Sequence, residues 1–472
     1  MYTNGALDVR DGSFRLPHHG YNHETDIKLC GGTVSFSNVV LATEGKFPTP
    51  NGGSVIFGTG ETVFDAGAEF RIVNGNRYLR PNAAGQTARL TLTSGATYVD
   101  SYNHIGWFVG GMPGGRAVFD SYAADTVKSR PIYVGNLAGE AELNVKAGLL
   151  RIHNVGLHVA CNAGGQYQSS ETNVTARVVV EAGAAMDVIG SLDSGWEAAR
   201  TLCGIVVGSG NAALVSGRPF VGSMDVFGSV TNESGNVVIG WGAGKGTYVQ
   251  HDGVTWLKQD ASHGIRPLAV VGLGGGVGRL IVSNGVFDVR HNAMFVGGCP
   301  ENEIPAFGNT THVRVPWEPR NVPANNHDAE GTVTVAGGAL SVADDVLVGV
   351  DGFGTIEMVG NAGTFTAGSL VLSNATSSVV RFVAGAGGFS PIGVTGTLAV
   401  TDGTRIEVDL SKYTGNRNVF RLFNFNSFDG DLDNVSLVLL DKDGVSRKVC
   451  RLNKTDTAID FAFVNGTTIL FR

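Results

Sequence analysis

Charge is scarce in this chain of 472 residues: Asp, Glu, Lys and Arg together make up 16%, and the net charge is −8. It carries no basic stripe and no extended Lys/Arg cluster, so the electrostatic footprint that nucleic acid requires is missing and nucleic acid is not an expected partner. Long apolar runs are missing too. Apolar residues come in fours and fives, well short of the roughly 18 consecutive apolar residues of a membrane-crossing helix, and no such span is expected. The five cysteines, Cys30, Cys161, Cys203, Cys299 and Cys450, show no C-x-x-C spacing. That argues against a zinc knuckle or a thiol redox motif and leaves them as small residues buried on strands. Catalytic signatures are equally sparse. The chain has no Gly-x-Ser-x-Gly elbow, Walker loop or His-Glu-x-x-His, so no metal and no cofactor is expected. Proline is low at 14 residues, which excludes collagen and a proline-rich linker.

Glycine, by contrast, is abundant at 69 residues, about twice average usage. Its meaning is clearest in Thr332–Gly349, TVTVAGGALSVADDVLVG. Three short runs, TVTV, ALSV and VLVG, are separated by Ala336–Gly338 and Ala343–Asp345. Each alternates apolar with small or polar residues, which predicts strands with one face buried and one solvated. Val and Gly at this density weaken a helix. The same strand–glycine turn–strand grammar recurs at Ala6–Leu16, Arg89–Val99, Glu142–Ile152, Arg177–Val188, Thr247–Leu257, Arg279–Val289 and Thr397–Val408. Several copies are closed by a strand ending in Val-Gly or Ile-Gly, as at Val207-Gly208, Ile239-Gly240 and Val271-Gly272.

Strand-only repeats at this short period point to a solenoid, in which stacked units grow without a size limit on the core. The expected class is all-β: a parallel β-helix over 1–410 with a loop insertion at 299–330, and a C-terminal antiparallel β cap over 411–472. Successive coils are expected to pair in parallel, with Val282, Phe287 and Val289 stacked on Val335, Leu340 and Val342, and with Gly285 and Gly338 at positive φ. Asn284-Gly285, Asp11-Gly12, Asp252-Gly253 and Asp402-Gly403 are also strong hairpin signals, so antiparallel sandwiches or propeller blades stand as the rival.

The pattern Gly-x-h-x-Val-x-x-Gly-x-h-x-Val followed by a strand ending in Val-Gly resembles the repeats of autotransporter (type V secretion) passenger domains and of PEP-CTERM-associated bacterial surface proteins. The resemblance spans most of 80–410 and is sharpest at Gly278–Gly297 and Gly331–Gly349. It implies a right-handed parallel β-helix displayed at a bacterial cell surface or outside the cell. The opening sequence MYTNGALDVRDG is already repeat-like, so the chain is expected to be a mature or trimmed piece.

Along the chain, Pro17–His23 carries three histidines and reads as a solvated turn, not a metal site. Asp100–Lys128, with Trp107, Arg116 and Tyr122, interrupts the grammar and is expected to be a loop or irregular coil. Longer excursions fall at Gly190–Leu202, Lys258–Pro267 and, longest, Cys299–Glu330, where five of the prolines accompany Trp317, His312, Arg314, Arg320 and His327. Excursions from a solenoid gather on one face, often the binding face. The glycine runs at 240–246 and 272–278 lack the helix that gives a phosphate loop its field and read as turns. Asp429, Asp431, Asp433, Asp441 and Asp443 read as acidic turns and not as a calcium loop.

Two classes of function follow. The first is a non-catalytic extracellular or cell-surface structural or adhesive β-helix that contacts a glycan or another surface protein through Trp317, Arg314, His312, Trp256, Trp241 and His251, with self-association also open. The second is a β-helical carbohydrate-active enzyme, a pectate-lyase-like polysaccharide lyase or a glycoside hydrolase. In that case Trp241, His251, Asp252, Trp256 and His263 would have to converge in one groove, with paired carboxylates or a Lys/Arg/His base.

Overall fold

Short runs of β-branched residues interrupted by glycine cannot sustain a helix, and among the described residues the structure is built almost wholly of strands. A computed structural model of the chain describes residues 6–464 apart from 17–26, 30–32, 44–54, 73–76, 101–106, 123–126, 130–131, 137, 154–155, 162–172, 190–202, 211–219, 234, 243, 259–266, 300–328, 351, 374–376 and 446–448. No helix among the described residues is long and apolar enough to cross a membrane.

The strands stack into three parallel sheets, and the chain visits them in rotation. Taking one turn as the pattern, Gly244–Gln250 lies in the first sheet, Val254–Leu257 in the second and Ala269–Leu273 in the third. The next turn lays Val277–Val282, Val286–Val289 and Met294–Val296 beside them, parallel and in register. Parallel pairing begins with Ala6↔Thr33 and runs through Arg405↔Ser436 and Thr397↔Ser427. It therefore continues past residue 410, where the composition shifts. Beyond it, Val419–Asn424 and Cys450–Lys454 both pair antiparallel with Ala458–Phe463.

The strands flanking Asn284-Gly285 do not form a hairpin. Arg279 pairs with Thr247 and Thr332, and Val286 pairs with Val254 and Ala339, all parallel. Gly285 at φ 67° and Gly338 at φ 64° turn the corner from first to second sheet, a region that costs an L side chain about 1–2 kcal/mol. The corner from third to first sheet needs glycine both for its positive φ, 74° at Gly240, and for close approach. A Cβ on Gly240 would lie 2.2 Å from Val277 O, so the coil above can approach only bare backbone.

Inward positions form columns through the coils. Val282 lies beside Val335, Phe287 beside Leu340 and Val289 beside Val342, each 2% exposed or less. This is the expected stacking. Asp100–Lys128 departs from expectation: it contributes Trp107–Val109 to the third sheet and Arg116–Ser121 to the first, in regular coil positions. The physical reason is Trp107, which is fully buried and packs against Phe57 and Phe119 with ring centroids 5.7 and 5.4 Å away. Its aromatic bulk marks the core.

Candidate ligand-binding surface

The outer faces of the three sheets are chemically different. The first sheet carries polar ladders: Arg381 pairs with Glu407 at 2.6 Å and Glu357 at 3.4 Å, and Arg405 pairs with the same Glu407 at 2.6 Å. Burial pulls the Arg381 guanidinium down, but the two carboxylates outweigh it and hold the pKa above its ordinary value. The outer second sheet carries Trp256, whose ring has the Lys258 ammonium 4.8 Å and the Arg290 guanidinium 5.3 Å from its centroid.

The third sheet does not follow the expected pattern of one buried and one solvated face. Leu157–Cys161 and Ala269–Leu273 are buried at every position. On its outer face Tyr78, Phe108, Tyr133 and His158 follow one another coil by coil. Their ring centroids are 5.3, 5.1 and 5.2 Å apart, and Arg80 sits over the Tyr78 ring. The column continues as Val206, Val238, Val270 and Phe295, joined by Leu268, Leu273 and Cys299 in a second apolar layer outside the main core. Strands buried on both faces read as continuous apolar runs, and the runs VVIG and AVVGL carry that signal.

The longest sequence intervals between consecutive strands begin or end at strands of this sheet. Third-sheet strands Leu157–Cys161, Cys203–Gly210 and Met294–Val296 are followed by their first-sheet successors only at Val174, Phe220 and Glu330, and second-sheet strands Ala185–Ile189 and Val254–Leu257 by their third-sheet successors only at Cys203 and Ala269. The opposite corner, between first and second sheets, stays tight over the same coils, as at His251–Gly253, Ser283–Gly285 and Ala336–Gly338.

The residues singled out from sequence fall on different walls. Trp241 lies on the third sheet, packed against the second apolar layer. His251 follows the first sheet, with Nε2 2.8 Å from Asp225 Oδ1 and its ring stacked on Phe227 at 4.3 Å. Asp252 accepts from the backbone N–H of Gly253 and so shapes the same turn. Trp256 is on the outer second sheet. His263, His312, Arg314 and Trp317 lie outside the described residues, as do the histidines of Pro17–His23. Near the C-terminus Asp431 and Asp441 accept from the backbone N–H groups of Asp433 and Asp443, both at 3.0 Å, which is local turn chemistry.

A groove of about 610 Å³ opens where the second sheet turns into the third. It runs over four successive coils, through Asn292–Ala293, Ala343–Asp345, Gly368–Ser369 and Thr395–Gly396, with Phe295 and Leu347 from the third sheet in its lining. The carboxylates of Asp344 and Asp345 are exposed. Sequence reasoning passed over this groove. Its signal was the Ala343–Asp345 interruption of an otherwise alternating stretch, which the structure resolves as a register shift between Val342 and Asp345.

No family model matches the chain, and no curated protein does. The surface must therefore be interpreted from its own chemistry.

Proposed function

We propose that the chain is a non-catalytic, surface-displayed β-solenoid that presents one side, the third sheet and its borders, to a glycan or to another surface protein. The observation that carries this is the asymmetry of strand spacing: the long sequence intervals begin or end at third-sheet strands, while the strands of the first and second sheets are joined by short glycine turns. A scaffold that concentrates variable length on one side is organised for contact on that side. The spread of Trp241, His251 and Trp256 over different walls favours this reading over a shared hydrolytic or lytic groove.

The coil grammar shared with autotransporter passenger and PEP-CTERM-associated repeats supports placement outside the cell or at a bacterial surface. In this reading the solenoid is right-handed, and the antiparallel strands Val419–Asn424, Cys450–Lys454 and Ala458–Phe463 cap its C-terminal end, blunting the open edge that would otherwise recruit further strands. The experiment is surface proteolysis of intact cells expressing the tagged chain, combined with binding of the purified chain to a glycan array. Protection of the tag in intact cells, or array binding undiminished by substitutions across the third sheet and its borders, would count against the reading.

A further inference from the structure

The groove between the second and third sheets shares Phe295 and Leu347 with the apolar layer of the third sheet but adds a polar rim of its own. It has an apolar floor, Phe295 and Leu347, and a rim of hydroxyl, amide and carboxylate groups in which, among the described residues, no Lys, Arg or His takes part. The backbone of Asp345 pairs with Ser369, but neither the Asp344 nor the Asp345 carboxylate makes an ion pair or hydrogen bond among the described residues. Two exposed carboxylates with no described cation beside them, next to an apolar floor, set the charge of what fits there: an anionic glycan is repelled, and a ligand with hydroxyl and ammonium groups is favoured.

The shape decides between a glycan and a basic peptide. A peptide commonly docks by adding a strand to a free sheet edge, but here each bordering strand is already paired on both sides, Met294–Val296 with Ala269–Leu273 and Ala339–Val348, and Ala339–Val348 in turn with Thr364–Leu372. The groove instead runs across the coils. Three coil steps at about 4.8 Å give about 14 Å, the reach of a short oligosaccharide. Its volume lies in the range of small-ligand sites.

We propose that this groove binds an amino-sugar oligosaccharide, with Asp344 and Asp345 receiving its ammonium and hydroxyl groups, Ser369 and Thr395 bordering the chain of rings, and Phe295 and Leu347 beneath their C–H faces. The proposal rests on the surface-contact reading above and names the ligand class for it.

The test is calorimetric titration of the full chain at mildly acidic pH with a glucosamine hexamer, its N-acetylated counterpart, an oligogalacturonate and oligolysine. The wild type is expected to bind the glucosamine hexamer, the N-acetylated oligomer more weakly and oligogalacturonate not at all. D344N/D345N is expected to lose at least about tenfold in affinity, and circular dichroism of this exposed double substitution checks that the coils persist. Added salt weakens the wild-type interaction. Glucosamine binding undiminished in D344N/D345N, oligolysine binding as tight as the sugar, or no glucosamine binding would overturn the proposal. The two readings separate cleanly. Sugar binding that survives D344N/D345N removes the groove and leaves the surface scaffold, whereas groove-dependent binding by a chain found only inside cells removes the scaffold reading and leaves the groove.

Discussion

The hydroxyl of Tyr248 lies 2.7 Å from Thr255 Oγ1 inside the solenoid, joining the first sheet to the second. Thr255 in turn donates to Gln250 Oε1 at 2.6 Å, and all three residues are fully buried. This is a closed polar chain in an apolar column. Y248F removes one buried hydrogen bond and is expected to cost about 1 kcal/mol at neutral pH. Burial pushes the phenol above its ordinary 10.0. Below that pH the folded and unfolded chains both keep the proton, and the phenol adds no pH dependence. Above it the unfolded chain releases the proton first, so wild-type stability falls as pH rises. Denaturant titrations should therefore show the gap between wild type and Y248F shrinking above pH 10.0.

Gly285 and Gly338 are stacked corner residues, and a Cβ on Gly338 would stand 2.2 Å from Gly285 O. Valine at either position meets both a positive φ and a backbone carbonyl. Each substitution should cost more than about 2 kcal/mol, read by calorimetry. Alanine at Gly183, which is at φ 80° but has nothing within 4 Å of its Cβ, should cost less, because only the backbone term remains. Equal melting temperatures for G285V, G338V and wild type would show that these glycines are merely small.

Trp107 tests the placement of a coil. W107A leaves a cavity beside Phe57 and Phe119 and should destabilise by about 3–5 kcal/mol. An exposed loop tryptophan would cost far less. A denaturant midpoint close to that of the wild type would remove Trp107 from the core.

Much of this architecture is legible in the sequence because it is repeated: one glycine turn is ambiguous, but the alignment of Arg279–Val289 with Thr332–Val342 exposes columns such as Phe287 over Leu340 that only stacked coils explain. The third sheet was harder. Alternation is the signal for a half-solvated strand, and Val206, Val238 and Val270 break it by being apolar on both faces. Trp107 was obscured by its polar neighbours, whose local composition resembles a loop. The groove was not legible at all, since Asn292, Asp344, Ser369 and Thr395 are separated in sequence and meet only because successive coils superpose their corners.

The coils on either side of 300–328 make the last test. Val277–Val282 pairs directly with Glu330–Val335, and Met294–Val296 with Val346–Val348, so the register passes from one coil to the next without a strand from the intervening residues. Cys299 and Ala329, the described residues on either side, are both fully buried. Replacing 300–328 with a short Gly/Ser turn should thus preserve the β circular dichroism spectrum. The melting temperature should move only slightly, because loop-closure entropy changes slowly with length. Any glycan or partner binding that depends on Trp317 and Arg314 should be lost, while amino-sugar binding at Asp344 and Asp345 persists. An aggregating deletion would assign the segment to the core, and undiminished binding to every partner would place recognition elsewhere on the solenoid.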